Sequence, residues 1–238
     1  MLVNTPAIVL SALKYSEADL IVKCFTESDG IKSYLLRGVR KSRKGKLRVA
    51  MFIPATQLEI TANHKNKGTL ESIREAKLLL VYQNLHTDIT KMSITLFLSE
   101  LLRNVIQEEE ANRPLFDYVS RSFVFLDKAK AVANFHLLFL IELTRHLGFY
   151  PDNANIDGEH FNLETGYFEN RESVETLSIE QTKIFKALLG INFEALPEIK
   201  MSGKARGALL EALIRYYALH LHGFKKPKSL AVLQSLFG

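Results

Sequence analysis

The sequence contains almost no cysteine and no long hydrophobic segment, and each absence excludes a class of protein. The single cysteine, Cys24, allows neither an intrachain disulfide nor a zinc site built from several thiolates. The longest apolar run, residues 131–141, is interrupted by Asn134 and His136 and is far shorter than the ~20 residues that a membrane span needs. The first residues also lack the basic start of a secretory signal. We therefore expect a cytoplasmic protein in a reducing compartment, with no membrane partner.

Motifs of nucleotide binding and catalysis are missing as well. Two Gly-Lys pairs occur, but Leu47 and Ala205 follow them where a phosphate-binding P-loop requires serine or threonine. The sequence has no glycine-rich dinucleotide fingerprint and no serine elbow, and its histidines and carboxylates do not recur at metal-ligand spacing. The sequence therefore predicts a protein that is not an enzyme, with no catalytic residue, no metal site and no cofactor.

Acidic residues are missing from one segment in particular, because none occurs between Asp29 and Glu59. Within that gap, residues 37–48 have the sequence RGVRKSRKGKLR, with seven cations in twelve positions. Residues 1–80 carry fourteen basic and seven acidic side chains, a net charge of +7, whereas residues 81–238 carry a net charge of −2. Clustered cations repel one another unless a polyanion replaces their counterions. The asymmetry indicates a polyanionic partner, nucleic acid ahead of a membrane surface; the alternative is a basic loop that serves only solubility.

The first 80 residues show the period-two alternation of β-strands. In one segment, Leu20, Val22 and Cys24 share a face and Lys23 lies on the other. We predict five strands, at residues 7–13, 20–26, 31–39, 57–61 and 69–74. Five short strands in about 75 residues suit a small closed barrel, and the oligonucleotide/oligosaccharide-binding (OB) barrel is one such fold. An SH3-like barrel has the same sequence pattern, so the pattern alone leaves both open.

After Glu75 the apolar residues recur at three- and four-residue steps, which predicts helices. The predicted helices cover residues 85–107, 114–126, 131–147, 178–190 and 202–222, with a short one after Ser229. Ser178 and Gln181 form a capping-box pattern, and Gly148 is suited to end the third helix. The apolar third helix should lie at the centre of the helical bundle.

The change from strand to helix pattern predicts two domains. The first, residues 1–80, is a nucleic-acid-binding barrel of OB or SH3-like type, and the second, residues 81–238, is helical. Residues 151–175 are loop-rich, with a short strand pair near 161–168. The predicted fold class is therefore α+β: an N-terminal five-stranded barrel, of OB type or SH3-like, followed by an all-helical domain with a small loop and β insertion.

The basic segment and nearby aromatic side chains form the candidate nucleic-acid site. Proteins that bind single strands combine a cationic groove with aromatic rings on which bases stack. Tyr34 and Phe52 are the candidate stacking residues, whereas Phe25 is a candidate for the core. The predicted DNA-binding cations are Lys32, Arg37, Arg40, Lys41, Arg43, Lys44, Lys46, Arg48, Lys65 and Lys67.

Several short motifs, in order along the chain, resemble those of the RecO family of bacterial DNA repair and recombination mediators. The N-terminal ones are YSEAD at residues 15–19, Phe25-Thr26 with Gly30, and RGVRKS at residues 37–42. HLGFYP at residues 146–151 and KSL at residues 228–230 follow. Each motif alone is weak, but their common order is fairly specific, and the resemblance covers essentially the whole chain.

The resemblance implies an OB barrel followed by a helical domain, and a function without catalysis. Members of the family bind single- and double-stranded DNA, anneal complementary strands and act on strands coated by the single-stranded DNA-binding protein SSB. With RecR they help to load RecA, so the implied partners are DNA, RecR and SSB, with RecA indirectly; the sequence does not decide whether RecF is another. The implied location is cytoplasmic, at the nucleoid. The alternatives are an OB-type RNA-binding or ribosome-associated protein and, less supported, a metal-dependent nuclease.

One segment departs from the family pattern. Many relatives carry a four-cysteine zinc module there, but residues 151–175 contain no cysteine and only one histidine, His160. We therefore expect the outline of that module to persist without metal. Turns and packing would hold it, through Gly158, Gly166, Tyr167 and Phe168.

Overall fold

Alternating apolar side chains in the first third of the chain form five antiparallel β-strands. The computed structural model describes residues 1–41, 46–65, 69–107 and 110–237. The strands are β1 (Leu2–Lys14), β2 (Leu20–Thr26), β3 (Gly30–Leu36), β4 (Gln57–Asn63) and β5 (Ser72–Leu78). They form one sheet in the order β3-β2-β1-β4-β5. The prediction of an N-terminal five-stranded sheet in an α+β protein is confirmed.

The two edge strands of this sheet approach each other without forming a regular ladder. An isolated parallel bridge joins Tyr34 of β3 to Glu71, the residue before β5. Two hydrogen bonds make it: Leu35 N–H donates to Glu71 O at 2.9 Å, and Glu71 N–H donates to Ser33 O at 2.8 Å. The expectation of a closed barrel is corrected to a partly open one, which is the form that OB folds take.

The concave side of the sheet is filled by a hydrophobic core. Val22, Cys24 and Leu58 are fully buried there, and Phe52, at the end of the short 3₁₀ helix Val49–Phe52, packs into the same cluster. Burial raises the pKa of the Cys24 thiol to about 12, so it stays protonated and acts as a small apolar residue. The predicted common face of Leu20, Val22 and Cys24 is confirmed, since all three are buried in this core.

Two helices belong to the same compact unit as the sheet, Met1–Asp127. They are α1 (Ile89–Val105), which packs against β1, and α2 (Arg113–Lys128). Asp88 caps α1 by accepting hydrogen bonds from Thr90 N–H and Lys91 N–H. The ring centroids of Phe25 in β2 and Phe116 in α2 lie 5.5 Å apart. The division of the chain into domains at residue 80 stays a prediction.

The second unit, Lys128–Gly238, contains the remaining helices. These are α3 (Phe135–Leu147), α4 (Ile179–Leu188), α5 (Gly203–His220) and α6 (Leu230–Phe237). Helix α3 is buried along most of its length and ends at Gly148, whose φ of +85° is favourable for glycine. The capping box predicted for Ser178 and Gln181 is present at the start of α4. None of the described helices has the length and apolarity needed to cross a bilayer.

The loop-rich segment of this unit is held by a two-stranded sheet and an aromatic cluster. Strands β6 (His160–Phe161) and β7 (Phe168–Glu169) pair antiparallel. The Phe161 ring lies 5.0 Å from the Phe168 ring and 4.5 Å from the Phe185 ring, centroid to centroid. The expected packing role of Phe168 is confirmed, but Tyr167 is 49 % exposed and takes no part in this cluster. Phe161 and Phe185 supply the packing that was assigned to Tyr167.

His160, the one histidine of this segment, is bound to the backbone. Its ring is buried, and Nδ1 lies 2.8 Å from the carbonyl oxygen of Leu177. In the described ranges, no three histidine, cysteine or acidic side chains come close enough to hold a metal ion. The strand pair, the hydrogen bonds of the turns and the packing of the Phe161 ring hold the described part of this segment.

Replacing Gly158 by alanine should destabilise this segment. An added Cβ would lie 2.6 Å from the backbone nitrogen of Glu169 and 2.8 Å from the backbone carbon of Phe168, so β7 would have to move. We expect the free energy of unfolding to fall by about 2–3 kcal/mol, the upper range for overpacking. Urea denaturation would measure the loss.

Gly207→Ala in α5 is the control, since its Cβ meets nothing within 4 Å and helix propensity favours alanine by about 1 kcal/mol. Equal effects of the two changes would contradict the packing argument.

Candidate nucleic-acid interface

The basic segment begins in a tight turn that is bound to the loop between β1 and β2. Gly38 has a φ of +69°, and its N–H donates to a carboxylate oxygen of Asp19 at 2.8 Å. Arg40 N–H donates to the carbonyl of Ala18 at 3.0 Å. Hydrogen bonds from Gly38 N–H and the Ser16 hydroxyl, with the nearby Arg37 charge, lower the pKa of Asp19. The sequence motifs at 15–19 and 37–42 are thus two sides of one contact.

Three of the predicted cations are engaged with neighbouring groups. The Arg40 guanidinium donates through Nη1 to the carbonyls of Ser16 and Glu17, at 3.0 and 2.7 Å. Lys41 lies 3.5 Å from the Glu17 carboxylate, but both side chains are largely exposed. Lys46 pairs with Glu75 of β5, and its hydrogen bond and charge lower the pKa of that carboxyl. Exposed pairs of this kind contribute little to stability, so Lys41 and Lys46 remain accessible to a stronger anion.

Arg37, Arg48 and Lys65 differ from these, because all three are exposed and form no ion pair with any residue that the structure describes. Arg37 and Lys65 also line a groove of about 430 Å³ at the place where β3 and β5 approach each other. Leu35 and Leu70 give the groove apolar surface. A cationic groove with apolar walls can bind a phosphate backbone and leave room for bases.

The acidic residue in this groove is occupied internally. Glu71 is only 4 % exposed, and both of its carboxylate oxygens accept the Lys65 N–H at 2.9 Å. A buried carboxylate bound to backbone N–H groups repels an approaching phosphate less than an exposed one would, since its charge is already compensated by donors. The groove therefore presents its cations, Arg37 and Lys65, to a ligand.

The remaining predicted site residues are either buried or outside the described residues. Tyr34 is fully buried, and Phe52 is 2 % exposed, so the prediction that they offer ring faces to bases is wrong. Both fill the interior of the curled sheet, where large side chains are needed to close the core. Lys32 is 5 % exposed, so it does not extend the basic surface as expected. Arg43, Lys44 and Lys67 lie outside the described residues.

Tyr15 is an exposed aromatic residue next to the strands that was not among the predicted site residues. Its side chain is 62 % exposed, and its backbone N–H donates to Asp19 O at 3.2 Å, within the same loop that binds Arg40. Its position in the sequence could have indicated its exposure. Tyr15 follows β1 directly and begins the polar YSEAD segment, so it does not belong to the alternating pattern of a strand. Tyr15 replaces Tyr34 and Phe52 as the candidate for base stacking.

Replacing Tyr15 by alanine should weaken single-strand binding by about 1–2 kcal/mol, roughly fivefold to thirtyfold, because stacking on an aromatic ring contributes about that much for each base. Fluorescence anisotropy with a labelled oligonucleotide would measure the change. Tyr15→Phe is the control, since it keeps the ring and should keep most of the affinity. A loss as large in Tyr15→Phe as in Tyr15→Ala would argue against stacking.

The fold and the groove together define the chain as an α+β protein of the OB class with a cationic groove. A family model for the N-terminal part of recombination protein O matches residues 1–82, and one for its C-terminal part matches residues 86–231. A protein of Christiangramia forsetii named DNA repair protein RecO is 51 % identical over 239 residues, and one of Flavobacterium psychrophilum with the same name is 44 % identical over 237. A third, from Bacteroides fragilis, is 36 % identical over 245 residues. Each of these alignments covers 100 % of both proteins. The chain belongs to the RecO family.

Proposed function

We propose that this protein is a DNA repair and recombination mediator that binds single- and double-stranded DNA and anneals complementary strands. The observation that carries the proposal is the groove flanked by Arg37 and Lys65. Lys41, Lys46 and Arg48 are exposed on the same basic segment as Arg37, residues 37–48. The relatives, which are named DNA repair protein RecO, support DNA as the polyanionic partner.

The mechanism follows from electrostatics and involves no covalent step. Two DNA strands repel each other through their phosphates, and this repulsion is the main barrier to their pairing. Protein cations that replace the condensed counterions of one strand reduce its repulsion of the second strand. The counterions that are released gain entropy, which favours binding. Bases held loosely, on apolar walls and one exposed aromatic ring, stay available for pairing. We infer that the protein is a mediator and not an enzyme.

The proposal extends to the protein partners of the family. We propose that the protein acts with RecR on DNA coated by SSB and so helps to load RecA. This would take place at the nucleoid. RecF is a further partner to be tested for binding. No residue of the described chain is assigned to these contacts, so each is tested by direct binding with the purified partner.

Strand annealing in the presence and absence of the SSB of the same organism tests the proposal. We expect the protein to accelerate annealing of complementary oligonucleotides and to keep doing so when both are coated by SSB. Acceleration of naked strands alone would indicate a general nucleic-acid binder without a mediator role. Competition between RNA and DNA oligonucleotides completes the test, since preferential RNA binding would support an RNA-binding or ribosome-associated protein instead.

A further inference from the structure

Three polar side chains form a hydrogen-bonded chain inside the partly open barrel. The Tyr34 hydroxyl lies 2.8 Å from Nε2 of His64, and Nδ1 of His64 lies 3.1 Å from a carboxylate oxygen of Asp29. Tyr34 is fully buried and His64 is 2 % exposed. The chain joins β3 and the turn that precedes it to His64, the residue after β4, which is 30 residues from Tyr34 and 35 from Asp29 in sequence.

The direction of these hydrogen bonds follows from the chemistry of the three groups. Burial raises the pKa of Tyr34, with the charges of Asp29 and Glu71 acting in the same direction, so the hydroxyl keeps its proton and donates. With Nε2 of His64 accepting from this hydroxyl, Nδ1 is the ring atom that donates to the Asp29 carboxylate. The Tyr34 hydroxyl and both ring nitrogens of His64 thus have partners, as buried polar groups require.

The same residues hold the backbone at Lys65 and at the residue before it. His64, which precedes Lys65, is held through its ring by Tyr34 and Asp29. Lys65 N–H is held by the Glu71 carboxylate at 2.9 Å, and Glu71 forms the parallel bridge to Tyr34. Tyr34 is thus connected to Lys65 by two routes, one through its side chain and one through its backbone.

We propose that Tyr34 and His64 are positioning residues that hold Lys65 at the wall of the groove, where its ammonium binds a DNA phosphate. The assignment rests on the proposed DNA-binding function and adds to it a role for residues that no phosphate or base can reach. A lysine on a loosely held segment would lose conformational entropy on binding, whereas a fixed segment has lost it on folding. Breaking the Tyr34–His64 hydrogen bond should therefore weaken binding through Lys65 alone.

A double-mutant cycle between Tyr34→Phe and Lys65→Ala tests this proposal. Tyr34→Phe keeps the buried ring and removes only the donor. We expect it to weaken single-strand binding about threefold to tenfold. The slope of log affinity against log salt concentration should fall in magnitude by up to about 0.7, because one phosphate contact is weakened. In a Lys65→Ala background the same substitution should change affinity by less than about twofold, because the contact that it supports is already gone.

Tyr217→Phe is the matched control, because Tyr217 is also fully buried and donates one hydrogen bond of 2.7 Å, to Leu140 O. It should reduce stability to urea by a similar amount and leave DNA affinity unchanged. Equal losses from Tyr34→Phe in both backgrounds, or no loss in either, would overturn the positioning role while leaving the proposed function standing. Absence of DNA binding by the wild-type protein would overturn both.

Discussion

Replacing Arg37, Arg48 and Lys65 together by alanine should lower the affinity for single-stranded DNA about a hundredfold and flatten its dependence on salt. If the wild-type protein neutralises four to six phosphates, the log–log slope of affinity against salt concentration should be roughly −3 to −4. Removal of three contacts should reduce its magnitude by about 2. Anisotropy titrations at several salt concentrations would give both quantities.

These three cations are chosen because the structure separates them from the other basic residues of the segment. Arg40 is bound to backbone carbonyls of the β1–β2 loop, so its loss would also loosen the turn that carries Arg37. Lys41 and Lys46 have acidic neighbours, and removing either would leave a carboxylate behind as an additional negative charge. The side chains of Arg37, Arg48 and Lys65 form no ion pair with the described residues and do not bind the loop, and Asp19, which lies near Arg37, keeps its hydrogen bonds from Gly38 and Ser16.

A triple variant of the second unit, in which Lys183, Lys200 and Lys204 are changed to alanine, is the matched control. All three are exposed, and their replacement lowers the net charge by the same amount. If binding depended only on total charge, the two variants would weaken it equally. We expect the control to change affinity by less than about threefold, because a phosphate contact requires a cation close to the strand. A loss equal to that of the groove variant would refute the assignment of the site to the groove.

The alternation of apolar and polar residues predicted strand boundaries well for a strand that is paired on both sides in the sheet. Strand β2 pairs on both sides and begins and ends at the predicted residues, 20 and 26. The predicted β5 began at residue 69, whereas the observed strand begins at Ser72, because its first contact is the single bridge at Glu71 rather than a ladder. Edge structure depends on which strand the edge meets, and period-two alternation does not contain that information.

The candidate site shows the same limit more clearly. Charge density identified the basic segment, since seven cations without an acid are a local property. Alternation placed Tyr34 on one face of β3 but could not say that the sheet curls and closes over that face. The partner that satisfies the Tyr34 hydroxyl, His64, is thirty residues away. The contact between the 15–19 and 37–42 motifs is also non-local, so the role of Arg40 in it could not be predicted.

Helix α1 illustrates a boundary set by a distant residue. The apolar pattern predicted a start at residue 85, but the helix begins at Ile89. Leu85 N–H is hydrogen-bonded at 2.8 Å to the carboxylate of Asp127, near the C-terminal end of α2. Residues 83–88 form bends and a turn there instead of the first turn of the helix. Asp88 then caps the helix that follows. Residue spacing along the chain cannot predict this contact, because Leu85 and Asp127 are 42 residues apart.

Replacing Asp127 by alanine should therefore have the largest effect on stability of the changes considered. The carboxylate is buried and accepts backbone N–H groups from Gln83 at 3.2 Å, Asn84 at 2.7 Å and Leu85 at 2.8 Å. Alanine would leave these donors without their acceptor next to the buried Leu85. Because hydrogen bonds to a charged group contribute about 1.5–3 kcal/mol each and are not additive, we expect a loss of about 3–5 kcal/mol in the free energy of unfolding.

Asp117→Ala is the matched control, because Asp117 lies on the same helix, is only half-buried and accepts no hydrogen bond from the residues that the structure describes. Its replacement should change stability by less than about 0.5 kcal/mol. Urea denaturation of both variants would measure the difference. Similar losses would mean that α2 tolerates neither change and that the three backbone contacts of Asp127 are not the cause.

The pH dependence of unfolding separates the charge of Asp127 from its shape. Burial acts to raise the pKa of this carboxyl, but the backbone hydrogen bonds from Asn84, Gln83 and Leu85 outweigh it, and the pKa lies below its usual value of about 3.9. A group whose pKa is lower in the folded state stabilises the fold above its unfolded pKa and loses that contribution as the pH falls through the folded pKa. The stability difference between wild type and Asp127→Asn, which keeps one acceptor oxygen without the charge, should therefore be constant near neutral pH and shrink below about pH 4. A difference that persists unchanged in acid would show that the amide fails for geometric reasons and that the charge contributes nothing.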